Sequence, residues 1–416
     1  MDQVALKNIE DAVFQFDIKR YIDNTTKTDE EINEKYLKGE VRIVTEQARY
    51  PLSTIKDMFN GKDYILNPDF QRRLRWDRIK QSKLIESFII NVPIPPIFLY
   101  EKDYSVYEVM DGLQRITAIK EFYEDKYALE GLEIWPELNS KKYSSLPEQV
   151  RKGIDRRYIS SIILLKETAK DSEAAKALKQ LVFSRINSGG AKLEDQEYRN
   201  ALYPGPFNDL TIELARNQTF CDIFDIPLPI ETENLSEDTI SADLRENSKY
   251  RTMKDVETVL RFFAMLKINF WESITLSKYL DLFLERANKL PEDAVAYYKD
   301  LFERTIQLAY DIYGDKTFCM WKKNSKGDIF RWTKRATTVL YDPLMVVLSE
   351  NIDKSERLVS LKDDIVNGTK ELFEKNDELL NGRNTSSSNV KERIQIFREY
   401  FVIQKYILTN RRIRLR

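Results

Sequence analysis

The chain has 416 residues, a formal net charge of −2 and no histidine. That length suggests two or three domains and leaves room for a real core without disulfide or metal staples. Charged residues reach 32% while glycine and proline number only 12 and 13, which argues for a helix-rich globular protein and against a β-sandwich, a collagen-like chain or a disordered one. Near-neutrality means that no global field draws nucleic acid or membrane, so such contacts would rest on local patches. The missing histidine excludes Ser-His-Asp and Cys-His hydrolases, HExxH metalloproteases and His-dependent nucleases, although compositional drift explains the absence equally well. Chemistry would rest on Asp, Glu, Arg, Lys, Asn, Gln, Tyr, Ser or Thr. Two cysteines, Cys221 and Cys319, form neither a disulfide framework nor a zinc site. The N-terminal residues lack a secretory leader pattern, and no apolar run approaches the ~18 residues of a membrane span. The expectation is a cytoplasmic protein with no membrane partner.

Residues 1–45 read as an N-terminal extension. There Thr28 before Asp29, Glu30 and Glu31 predicts a helix start, and Val41–Val44 a short strand. Over residues 46–204 the pattern alternates. Ser53 can cap a short helix through Phe59, and Tyr64–Leu66 reads as a strand. Arg78–Asn91 is predicted helical, and Pro93, Pro95 and Pro96 end it and lead into the strand Ile97–Tyr100. Val106–Met110 is predicted as a strand running into a helix over Gly112–Tyr123. Tyr158–Leu165 is β-branched and apolar, a buried strand, and helices follow at about 172–186 and 193–203. Alternation of this kind indicates a mixed α/β domain.

Beyond Pro204-Gly205-Pro206, a strong breaker, strands are no longer predicted. Val256, Val259, Leu260, Phe263 and Leu266 have i, i+3, i+4, i+7 spacing, as do Leu276, Tyr279, Leu280, Phe283 and Leu284, and residues 292–313 continue the pattern. Each is an amphipathic helix with one buried stripe. Residues 205–416 are therefore predicted as an all-helical C-terminal domain. Charge is uneven. Residues 222–244 hold seven acids and no base, residues 69–83 six bases against two acids, and residues 391–416 eight bases against two acids. Each run reads as a solvated face, and the basic ones could also hold phosphates.

Three stretches could carry chemistry. In Asp111-Gly112-Leu113-Gln114-Arg115, an apolar strand ends and a helix begins. Asp111 then sits at a strand C-terminus, where α/β sheets place ligands. The free N–H groups of the first helical turn can cradle an anion, and Arg115 can fork onto phosphate oxygens. Asp111 could hold magnesium or orient water. The plain alternative is a helix cap at Asp111 with a surface arginine. The loop Asn67–Trp76 places Gln71, Arg72, Arg73 and Arg75 beside Phe70 and Trp76, which suits a polyanion or, equally, Arg–carboxylate pairing and tryptophan packing. Between Phe183 and Glu197 a helix ends at Gly189-Gly190 and another starts near Leu193. Ser188 and both glycines could line an anion pocket or simply cap the helix.

Taken together, these stretches resemble the N-terminal domain of GmrSD-type restriction endonucleases, a ParB/sulfiredoxin-like domain. The matching positions are Phe70-Gln71-Arg72 with Trp76, Pro93-Ile94-Pro95, Asp111-Gly112-Leu113-Gln114-Arg115, and Phe183, Arg185, Asn187, Gly190 and Leu193 with Glu197. Four motifs in order over residues 65–200 carry the likeness. Gly112–Ala118 also resembles the Gly-x-Arg-Arg-x-x-Ala phosphate motif of ParB proteins, with Gln114 in place of the first arginine. The resemblance implies a ParB/sulfiredoxin-like α/β domain followed by helices, and binding of a nucleoside triphosphate with magnesium. Gln71, Arg72, Gly112, Arg115, Arg185, Asn187, Gly189 and Gly190 would hold the nucleotide, Asp111 the magnesium or a water, and Gln114 the phosphate or that water. It further implies a nucleotide-dependent regulatory or sensor part in bacterial anti-phage restriction, with hydrolysis in several relatives, or else a non-catalytic DNA- or protein-interaction module using the same pocket as a switch. Many relatives add a His-dependent nuclease module, which a chain without histidine cannot supply. The chain accordingly reads as a stand-alone member, whose partners would be nucleotide, DNA through the basic segments, and a separate effector nuclease.

Overall fold

The structure, a computed structural model, describes residues 3–14, 28–38, 44–66, 76–166, 178–179, 181–183, 185–186, 194–228, 241–323, 329–380 and 386–411, with the backbone alone at 242, 245 and 402–411. Its contacts divide the chain into two units, residues 19–193 and residues 1–18 together with 194–416. In order, the first elements are α1 (Gln3–Val13), α2 (Asp29–Lys38), β1 (Thr45–Pro51), α3 (Leu52–Met58), β2 (Tyr64–Ile65), α4 (Arg78–Ile89), β3 (Ile97–Asp103), β4 (Val106–Asp111), α5 (Leu113–Tyr123), α6 (Glu148–Asp155) and β5 (Tyr158–Leu164).

The five strands form one mixed sheet in the order β1-β5-β3-β4-β2. The apolar, β-branched β5 lies inside it, antiparallel to β1 and parallel to β3, with Ile97 opposite Ser161. β3 and β4 form an antiparallel pair with a register shift between Phe98 and Leu99, and β2 joins β4 in parallel. Leu52, Ile55, Leu84, Ile85, Ile116, Ile119 and Phe122 from α3, α4 and α5 bury themselves with Ile97, Leu99, Ile159 and Ile163 of the sheet. The sheet curls until its two edges meet: the Tyr64 hydroxyl on β2 donates to that of Tyr50 on β1 at 3.4 Å.

Local signals set most boundaries. The Asp77 carboxylate accepts from the Lys80 N–H and starts α4, as a short acceptor at the N-cap does. Ser53 does not cap α3, which begins one residue earlier behind Pro51. Of the strand expected at 41–44, residues 41–43 lie outside the described residues and Val44 only precedes β1.

The second unit is helical, as its periodicity predicts. The helices Lys254–Leu266, Leu276–Ala287 and Glu292–Tyr313 bury Phe263, Phe283, Tyr298 and Phe302, with Phe207 edge-on to Phe263 and Phe283. α1 belongs here: Phe14, just past its end, stacks on Phe283 at 5.2 Å, and Glu10 pairs with Lys267 and Tyr298. One feature departs from an all-helical reading, the short hairpin of β6 (Trp321–Lys323) and β7 (Phe330–Trp332). Three-residue strands are too brief to show a period of two. Among the described residues no helix is long and apolar enough to cross a membrane.

Candidate functional site

β4 runs Val106-Tyr-Glu-Val-Met-Asp111 and hands over to α5 through Gly112, whose φ is +100°. Only glycine adopts this left-handed geometry without strain. The space is equally restrictive, because a Cβ here would lie 2.9 Å from Ile97 Cβ and 3.3 Å from Ile97 Cα. Gly112 is thus fixed by both backbone angle and the close passage of β3. The N-cap residue is Gly112, and among the described residues no side chain caps α5. Asp111 is therefore not its cap. The opening N–H groups of an uncapped helix, with the positive end of its dipole, are suited to an anion.

The Asp111 carboxylate is instead turned to Arg115, whose Nη2 donates to Oδ2 at 2.6 Å. Arg115 Nη1 donates to the carbonyls of Pro95 and Pro96, the latter at 3.2 Å. Side-chain exposure is 12% for Arg115 and 26% for Asp111. Burial pushes the guanidinium pKa down, and Asp111 opposes that shift. The guanidinium is therefore enclosed by the proline entry into β3 rather than lying on the surface, as the plain alternative had it, and two of the matched motifs touch here. Gln114 Oε1 accepts the Trp76 N–H at 3.4 Å, which ties Trp76 to the same turn.

A further tie was not legible in the sequence. Glu108 lies in the middle of β4, its side chain 6% exposed, and pairs with Lys179 at 2.6 Å. Lys179 also sits 5.6 Å over the Tyr100 ring. This pair ties Lys179 to the central strands. The available signal was an acid within an apolar strand, since a buried carboxylate calls for a cation. Arg185 itself is helical and exposed. Gln71, Arg72, Asn187, Gly189 and Gly190, with Ser188, lie outside the described residues.

Magnesium held with a triphosphate needs only one or two protein carboxylates, the phosphates supplying the rest. Asp111 is such a carboxylate, at the mouth of the uncapped helix. Among the described residues no group of three metal-ligating side chains gathers, so any metal there would depend on the nucleotide for most of its ligands.

The sequence of residues 55–204 matches the family model of the GmrSD restriction endonuclease, N-terminal domain. The chain carries a GmrSD-type N-terminal domain. The match contains β2 to β5 and the whole Asp111–Arg115 turn, and it fits a component of a restriction or anti-phage system. No match was found among curated proteins or among solved structures.

Proposed function

We propose that this GmrSD-type domain binds a nucleoside triphosphate with magnesium at the β4–α5 turn, and that the chain is a nucleotide-dependent regulatory or sensor component of a bacterial restriction system, acting in the cytoplasm. The observation that carries the reading is the uncapped start of α5 behind a sterically obligatory Gly112, with the Asp111–Arg115 pair beside it. The α5 N–H groups and Arg115 would hold phosphate oxygens. Binding would exchange partners: Arg115 turns its fork from Asp111 to phosphate, and Asp111, released, faces the magnesium or a water. Gln114, braced by Trp76, would orient that phosphate or water. Gln71, Arg72, Arg185, Asn187, Gly189 and Gly190 would complete the pocket. DNA at the basic segments 69–83 and 391–416 and a separate effector nuclease would be the partners.

The second reading is a non-hydrolytic switch, in which the same pocket binds nucleotide and the chain acts through DNA or protein contacts. It is favoured by the Asp111 carboxylate, whose charge is already matched by Arg115 at 2.6 Å. Calorimetric titration of ATP and GTP with magnesium, alongside phosphate release, separates the two. Asp111→Asn should abolish turnover while retaining most nucleotide binding. Equal turnover in wild type and variant would remove Asp111 from the chemistry, and no heat with any triphosphate would defeat the nucleotide reading.

A further inference from the structure

We propose that the β6–β7 hairpin of the helical unit is a docking surface for duplex DNA, gripping the phosphate backbone through Lys322 and Arg331. Residues 316–335 hold seven bases, Lys316, Lys322, Lys323, Lys326, Arg331, Lys334 and Arg335, against the single acid Asp328. In a chain of net charge −2 this is a strong local concentration. The ladder pairs Trp321 with Trp332, Lys322 with Arg331 and Lys323 with Phe330. Alternate residues of a strand face opposite sides, so Lys322 and Arg331 share the side opposite the tryptophans.

The tryptophan side is occupied within the protein. Trp321 lies edge-on to Trp332 at 5.4 Å and stacks on Phe330, its indole N–H donates to Glu374 at 2.9 Å, and Lys370 sits over its ring. The aromatic side is thus seated on the helix Lys362–Lys375. The other side presents exposed Lys322 and Arg331, and exposed Lys334 and Arg335 follow directly. Among the described residues none of these four is in an ion pair. Like charges directly opposite on a ladder destabilise it, and among the described residues no carboxylate pairs with them. A polyanion would.

Three features select duplex DNA. A two-stranded ribbon has the dimensions of the major groove. The basic side chains are forks and ammonium groups suited to phosphates. The aromatic rings lie on the opposite face, half-buried against one another and the helix Lys362–Lys375, so the basic face itself carries no ring on which single-strand bases could stack. The inference is independent of the Asp111–Arg115 pocket.

The test is fluorescence anisotropy of a labelled mixed-sequence duplex with the full chain at several salt concentrations. The Lys322→Gln/Arg331→Gln variant should bind roughly tenfold or more weakly, equally for unrelated sequences, with the slope of log K against log salt reduced by about 2. Its melting temperature should equal or exceed that of wild type, because a like-charge pair has been removed. A second variant, Lys334→Gln/Arg335→Gln, should weaken binding in the same sense. Unchanged affinity and slope in Lys322→Gln/Arg331→Gln, no duplex binding by wild type, or tighter binding of the single strand than of the duplex would each overturn the proposal.

Discussion

Two arginines show how differently the two units treat the same local pattern. Arg115 in the sheet unit and Arg199 in the helical unit each have an aspartate four residues earlier, Asp111 and Asp195. Arg115 keeps its aspartate at 2.6 Å and, among the described residues, adds only the carbonyls of Pro95 and Pro96. Arg199 leaves Asp195 at 3.9 Å, is itself 1% exposed, and turns inward to Glu257 at 2.9 Å and Asp281 at 2.8 Å. Gln196 and Ser277 take its remaining donors. The helix Asp195–Leu202 is thereby bound to both Lys254–Leu266 and Leu276–Ala287. Arg199 has two carboxylates, saturated donors and no route to solvent, so its role is to join helices. Arg115 has one carboxylate and lies beside an uncapped helix start, so a phosphate can compete for it. Enclosure and the number of fixed acceptors, not residue type, separate a structural arginine from one able to exchange partners.

The sharpest way to break this contrast is Arg199→Met. It strands Asp281 in the interior and leaves Glu257 to Lys254 alone, and removing one side of a buried ion network destabilises by about 3–5 kcal/mol. Urea denaturation should show the loss, and adding Glu257→Gln and Asp281→Asn should restore much of it. Wild-type stability in Arg199→Met alone would mean that the network joins nothing. Next in size is Gly112→Ala. A left-handed alanine and the overlap with Ile97 together should destabilise by about 2–4 kcal/mol, read by thermal melting. A neutral result would show that the β4–α5 turn can relax and that Gly112 is not sterically obligatory.

Arg115→Ala sharpens the comparison from the other side. It should lower triphosphate affinity about ten- to hundredfold, the equivalent of a charge-assisted contact of about 1.5–3 kcal/mol, with a smaller loss of stability than Arg199→Met. Arg115→Lys should rescue poorly, since an ammonium cannot fork. Calorimetry decides, and unchanged affinity would place Arg115 with Arg199 as a purely structural residue.

The smallest effect concerns pH. Burial pushes the Glu257 carboxyl up, but Arg199 and Lys254 outweigh it, and the group titrates below its ordinary 4.5. A depressed carboxyl contributes stability above its unfolded value and loses it as pH falls through the folded one. At Asp281, burial outweighs Arg199 and raises the carboxyl above its ordinary 3.8, so acidification protonates the folded form first and favours it. The two groups oppose each other. Denaturation midpoints measured from neutral to acid pH should fall less in Glu257→Gln than in wild type, and more in Asp281→Asn. The reverse order would show that Arg199 does not hold these two groups as described.

The strand–helix switch at Asp111-Gly112 was legible from residue order, because an apolar run ending in Asp-Gly before an amphipathic repeat specifies its own geometry through short-range sterics. The helical half was legible for the same reason: Val256, Val259, Leu260 and Phe263 mark a buried stripe whatever covers it. What residue order could not supply was partnership across long separations. Asp195–Arg199 reads as an ordinary surface pair until Glu257 and Asp281 close over the guanidinium from helices 58 and 82 residues away. Whether Arg115 is enclosed or on the surface stays open in the sequence until the Pro95 and Pro96 carbonyls arrive from the entry to β3. Glu108 finds Lys179, 71 residues on, only in the folded unit, and β6 and β7, three residues each, have no pattern of their own and exist through pairing and a tryptophan seated on a helix. Backbone angles and amphipathic stripes are local quantities written into neighbouring residues, whereas the fate of a charge depends on which distant atoms replace its water.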